Sequence, residues 1–197
     1  MILTIQKDGS PTSFETDIRA AGKLLRLIWT TRGRVPNAME LDLLDRMTGE
    51  KPTITASEAS NHISLWSSAK ILSFFTEVSD ILEQRQKKHV DAVEKESRSV
   101  INGSWILQLD SVLQDKVARD SRKRRKYSGD SLVDLLRFVR NLASHFYPLA
   151  PEVRAALGAK TNLGMFWVST FPQLLPHLYQ AMQGFKGDER IKRFYPN

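Results

Sequence analysis

The 197-residue sequence contains no cysteine, which removes disulfides and thiolate-bound metals from consideration and suits a reducing compartment. It also lacks an apolar run long enough to cross a bilayer. Its start, MILTIQKDGS, places Lys7, Asp8 and Gly9 too close to the first apolar residues for a secretory h-region. The expectation is a cytoplasmic protein with no membrane association. Histidine is scarce, at four residues, and His62, His89 and His177 have neither i, i+4 pairing nor carboxylate partners in sequence, so no metal site is expected. No strand-rich region follows residue 16, and there is no internal repeat and no low-complexity segment.

The composition that remains is that of a folded chain. At 41% hydrophobic residues, it can bury one sizeable core or two small ones. The formal net charge of +7 is concentrated in Arg119, Arg122, Lys123, Arg124, Arg125 and Lys126. Such a run is either a solvated basic loop or a sequence-independent grip on a nucleic-acid backbone, where neutralised phosphates release counterions.

Helical periodicity dominates the rest. A helix is expected from Asp17 to Trp29 with Ala20, Leu24, Leu27 and Ile28 inside, after a ragged edge or strand at Ile2–Ile5. Asn37 to Met47 reads as a second helix, and Thr55 to Asn61 as a short capped turn. His62 to Arg85 reads as one long helix or two joined near Ser67, followed by a polar extension and surface loop over Gln84–Ser99. Further helices are expected over Trp105–Val117, Glu152–Leu157 (ended by Gly158) and Phe171–Gln183.

The strongest signal lies at Ser131–Tyr147. Leu132, Leu135, Leu136, Val139, Leu142, Ala143 and Phe146 share a broad core-facing arc, and Asp134, Phe138, Asn141 and His145 form the opposite stripe, with Arg140 at the border. Ser131 and Asp134 match a capping box, which sets the helix start, and Pro148 and Pro151 stop it. Asp134, Asn141 and His145, at i, i+7 and i+11, can converge on one ligand, and with Arg140 at the border they suit a phosphate.

The run Tyr127 to His145, YSGDSLVDLLRFVRNLASH, resembles the kinase-extension nuclease (KEN) domain shared by ribonuclease L and the Ire-type stress sensors, within the wider HEPN group. So do Ala150–Gly158, Phe171–Tyr179, Leu65–Ser67 and Phe74–Asp80. The resemblance covers about residues 62 to 197 and implies an all-α KEN/HEPN-like helical nuclease domain. Residues 1–61, with Asp17, Gly22, Asp45-Arg46 and Lys51-Pro52-Thr53, resemble a small helical remnant of the end of a kinase C-lobe. No Gly-rich phosphate loop, VAIK lysine, HRD loop or DFG motif is present, so no ATP binding is expected.

The resemblance further implies a metal-independent, cofactor-free endoribonuclease. In that chemistry the RNA 2′-hydroxyl attacks and leaves a 2′,3′-cyclic phosphate and a 5′-hydroxyl, and a homodimer is the expected active form. His145 would protonate the departing oxygen, Arg140 would hold the non-bridging oxygens, and Asn141 would bind phosphate or orient the imidazole. Tyr127, thirteen residues before Arg140, would polarise the 2′-hydroxyl or hold the phosphate. Its phenol is a poor base near pKa 10, although the neighbouring cations could lower it. Trp105, as a stacking platform, and Asp134 match family positions for substrate binding, to which Arg122, Lys123, Arg124, Arg125 and Lys126 add backbone contacts. Two other readings stay open: an inactive RNA-binding or dimerisation module of the same fold, and a kinase-like scaffold.

Overall fold

The computed structural model describes residues 11–31, 33, 35–84, 86–123 and 126–195; the strand expected at Ile2–Ile5 lies outside them. Among the described residues all regular structure is helical. The chain forms two compact units that divide between Trp66 and Ser67. No described helix is long and apolar enough to cross a membrane.

In the first unit α1 (Pro11–Thr31) packs on α2 (Ala38–Thr48), followed by α3 (Ala56–Ser60) and a 3-10 turn. Helix α1 starts six residues before the expected Asp17, and its buried stripe differs from the expected one. Leu27 and Ile28 are exposed, whereas Trp29 is buried and Ile18 and Leu25 pack on Leu43, Met47, Ile54 and Ala59. Gly22 accounts for the rotation: a Cβ there would stand 2.7 Å from Thr48 Cγ2 and 2.8 Å from Met47 Cβ, so the helices touch at this point. Helices α2 and α3 both start with closed capping boxes, Asn37 with Glu40 and Thr55 with Glu58, each meeting N–H groups that the helix itself leaves unpaired.

The second unit contains α4 (Ser68–Glu83), α5 (Lys87–Glu94), α6 (Arg98–Ile101), α7 (Ser111–Lys123), α8 (Leu132–Ser144), α9 (Pro151–Leu157), α10 (Leu163–Thr170) and α11 (Leu174–Met182). The segment read as one or two helices breaks at Trp66–Ser67, where the Ser67 hydroxyl accepts the Lys70 N–H and caps α4. The helix expected over Trp105–Val117 is instead a 3-10 turn, Trp105–Gln108, then α7, which carries on into the basic run as far as Lys123. Helix α10 was not expected, and α11 begins after the Phe171–Gln173 segment.

Helix α8 is the centre of this unit, packed by α4 and α5, and its burial extends beyond the expected arc. Phe138 is wholly buried and Asp134 and Arg137 nearly so, so the stripe expected to lie opposite the core is itself covered over its first two turns. The Ser131 cap is present but the box is not closed on Asp134. The Ser131 hydroxyl accepts the Asp134 N–H at 3.2 Å and donates to Glu94 Oε1 at 2.6 Å. The Glu94 carboxylate, at the end of α5, accepts the N–H groups of Leu132 (3.2 Å) and Val133 (3.1 Å). An anion from a neighbouring helix thus satisfies orphan donors at the positive end of α8.

Two stability predictions follow from this packing. Glu94→Ala should cost about 1–2 kcal/mol and lower Tm by several degrees in a calorimetric scan, with Glu94→Gln in between. His89 is buried against the Phe185 ring at 4.3 Å, and burial first, then Lys88, lowers its pKa below the ordinary imidazole value. The folded state therefore resists protonation. His89's stabilising share is complete above about pH 6.5 and is lost as pH falls below it, so His89→Phe should flatten the acid side of the stability curve.

Candidate active site

The site is built on α8 and on the loop that leads into it. Two buried anchors hold that loop. Trp105 has no exposed surface; its indole N–H donates to Ser128 O at 2.8 Å, and its backbone N–H donates to Gly129 O at 2.8 Å. A Cβ on Gly129 would overlap Ser104 Oγ and stand 3.1 Å from Ser104 Cβ, so any side chain there would have to turn Ser104 aside. From the other side Arg137 Nη2 donates to Lys126 O at 2.8 Å, and its guanidinium lies 4.3 Å over the Tyr127 ring. Asp134 completes the anchor: one carboxylate oxygen accepts the Ser128 N–H at 2.7 Å and the other stands 3.5 Å from Arg137 Nη2.

The expected roles of Trp105 and Asp134 change accordingly. A base cannot reach the face of a tryptophan packed 5.6 Å from Phe138 and edge-on to Tyr127, so Trp105 positions the loop rather than stacking on RNA. Asp134 is likewise turned inward onto Ser128 and Arg137. Arg137 is the residue that sequence reasoning missed. On an exposed helix face it would read as one more solvated cation, and only the covering of α8 from several sides makes it a buried one.

These anchors place Tyr127 against Asn141, whose side-chain amide donates to the phenol oxygen at 2.9 Å. The expectation that nearby cations lower the Tyr127 pKa is reversed. Burial pushes it up, outweighing the Asn141 hydrogen bond and the Arg137 charge, so the phenol stays protonated at neutral pH. No described residue accepts the hydroxyl proton, and it is available to a ligand.

Arg140 and His145 flank this pair. The Arg140 guanidinium turns to α4, with Nη1 2.8 Å from Asp80 Oδ1 and Nη2 3.6 Å from Glu83 Oε1. In this conformation its fork is held by carboxylates. His145 caps the end of α8, its backbone N–H donating to Asn141 O at 3.1 Å. The helix thus ends at Ser144, three residues before Tyr147. The imidazole is exposed, one turn beyond Asn141, and no described residue hydrogen-bonds to it. The structure thus brings Tyr127 and Asn141 into contact, leaves His145 open beside them, and ties Arg140 back to α4. Of the basic run, Arg122 and Lys126 are exposed; the Lys123 side chain, Arg124 and Arg125 lie outside the described residues. No group of histidine and carboxylate side chains suited to holding a metal ion occurs among the described residues.

The chain matches the sequence model of the family Ribonuclease 2-5A over residues 71–195. It is 34% identical over 159 residues to the serine/threonine-protein kinase/endoribonuclease ire-1 of Caenorhabditis elegans, covering 78% of this chain and 16% of that protein. It is 36% identical over 149 residues to the human serine/threonine-protein kinase/endoribonuclease IRE2, covering 74% of this chain and 16% of that protein. An Arabidopsis thaliana relative named inactive serine/threonine-protein kinase/endoribonuclease IRE1-like is 26% identical over 204 residues, 95% of this chain and 36% of its own. The chain therefore spans about a sixth of the length of the first two relatives. The matched segment begins in α4 and includes Trp105, Tyr127, Arg137 and the whole of α8, and the chain belongs to the ribonuclease 2-5A family, as an all-α domain.

Proposed function

We propose that this domain cleaves RNA internally without a metal ion, and that the contact between Tyr127 and Asn141 beside the exposed His145 is the core of its active site. That contact, 2.9 Å between side chains fourteen residues apart, carries the reading.

In the proposed reaction the 2′-hydroxyl attacks the adjacent phosphorus as its proton leaves to water. The bond from phosphorus to the 5′-oxygen breaks, and protonated His145 supplies the proton that this leaving oxygen needs. The products are a 2′,3′-cyclic phosphate and a 5′-hydroxyl. Tyr127 donates from its neutral phenol to a non-bridging oxygen, consistent with its raised pKa. Arg140 adds charge to the same oxygens after exchanging Asp80 and Glu83 for phosphate. RNA is the substrate because DNA has no 2′-hydroxyl. Arg122 and Lys126, with Lys123, Arg124 and Arg125, add sequence-independent backbone contacts.

The reading includes a homodimer as the active form, a cytoplasmic site of action, and residues 1–61 as the remnant of a kinase C-lobe that binds no ATP. An inactive RNA-binding or dimerisation module is the second reading. It is favoured by the name of the plant relative aligned over 95% of this chain and by the engagement of Arg140 with Asp80.

A labelled stem-loop and a labelled single-stranded RNA, each compared with its all-2′-deoxy counterpart, separate the two readings. The expected result is cleavage of the ribose substrates alone, rising faster than linearly with protein concentration and reduced at least about 10²-fold in His145→Ala. Salt-sensitive binding without cleavage would establish the inactive module. Tyr127→Phe should lower kcat about 10- to 100-fold with little change in Tm, because only the hydroxyl is lost. Arg137→Gln should lower both kcat and Tm, because it releases the loop as well.

A further inference from the structure

Beside the Tyr127–Asn141 pair, on the adjoining face of α8, runs an open groove of 720 Å³. One wall is formed by Arg140 and Ala143, one turn apart on α8, and by Tyr147 in the turn that follows the helix. The facing wall is α4, with Leu72 and Asp80, and Lys160 closes one end. Tyr147 is 70% exposed, unlike most aromatics of this unit. The Lys160 ammonium lies 4.7 Å from its ring centroid and has no ion-pair partner among the described residues. Arg140 is shared: its position on α8 is next to Asn141, while its side chain reaches Asp80 in the groove.

We infer that this groove is a subsite for one flanking nucleotide of a single-stranded RNA, whose base stacks on Tyr147 and whose phosphate pairs with Lys160. This rests on the reading that the domain acts on RNA. Three observations favour that occupant. An exposed aromatic ring accepts any base by stacking. The Lys160 ammonium over that ring has no carboxylate partner among the described residues and supplies a charge for the backbone once it yields the ring face to the base. The groove is also lined by Arg140, Ser144 and Tyr147, which bracket Asn141 and His145 in the chain, so a strand at the scissile position has a short path to it. A phosphate entering along that path meets Arg140 and competes with Asp80 for it.

The test separates binding from cleavage. A fluorescent single-stranded 2′-O-methyl oligoribonucleotide has no 2′-hydroxyl nucleophile and reports affinity whether or not the protein is a nuclease. Tyr147→Ala should weaken its binding about tenfold and Tyr147→Trp should restore it, with Tm unchanged in both because the ring is exposed. Lys160→Gln should weaken binding and reduce the slope of log affinity against log salt by about 0.7, one phosphate contact on a single strand. With ribose RNA, Tyr147→Ala should raise KM more than it lowers kcat. Wild-type affinity in Tyr147→Ala would overturn the subsite while leaving the cleavage reading intact. A change in sedimentation with unchanged oligonucleotide affinity would overturn it in favour of a second copy of the chain as occupant. Absence of cleavage with the expected loss of binding would sustain the subsite and remove only the catalytic reading.

Discussion

The buried cation Arg137 is the interaction on which the rest of the site depends. A guanidinium taken out of water is costly unless its charge and donors are met. Here they are met by the Asp134 carboxylate, the Lys126 carbonyl and the face of Tyr127. These three groups belong to the start of α8 or to the loop leading into it. Satisfying one charge therefore fixes the entry of the loop, the tilt of the Tyr127 ring and the first two turns of the helix together. Trp105 reinforces the arrangement from the opposite side through Ser128 and Gly129. The contact between Tyr127 and Asn141 is the exposed consequence of that buried network.

The same dependence divides the residues into those that position and those left free to act. Trp105, Asp134 and Arg137 are turned inward and have almost no surface to offer a substrate. Tyr127 is half-buried, keeps its proton and presents its oxygen to Asn141. His145 stands where α8 ends, so its imidazole leaves the packed interior. Arg140 is intermediate: it lies in the right stretch of helix but is held by Asp80 and Glu83. Its exchange of partners is the one rearrangement the proposed mechanism asks of this conformation.

Much of this was legible in the sequence where a local rule had one outcome. The start of α8 at Ser131 follows from its hydroxyl cap, and the break at Ser67 from another. The contact of Tyr127 with Asn141 fits a resemblance carried by their spacing. The misses have physical causes. Helix α10, LGMFWVST, is apolar nearly all round and has no period to detect, whereas α5 is short and polar. The expected face of α1 was rotated because a glycine, not a large apolar side chain, marks its contact with α2. Helix α8 was read as amphipathic, but a central helix is covered on several sides, and nothing local distinguishes a buried Arg137 from a solvated one. The closing of its N-terminus by Glu94 depends on a residue 37 positions upstream of Ser131, beyond the reach of any capping rule.

The central claim is that His145, Tyr127 and Asn141 carry out RNA cleavage by an attack that originates in the RNA itself. The most direct test is the chemistry of the new ends, determined by mass spectrometry on RNA incubated with the purified protein in EDTA. The account predicts a 2′,3′-cyclic phosphate on one fragment and a 5′-hydroxyl on the other, with neither formed by His145→Ala. Fragments ending in a 3′-hydroxyl and a 5′-phosphate, or cleavage that requires an added divalent ion, would contradict it.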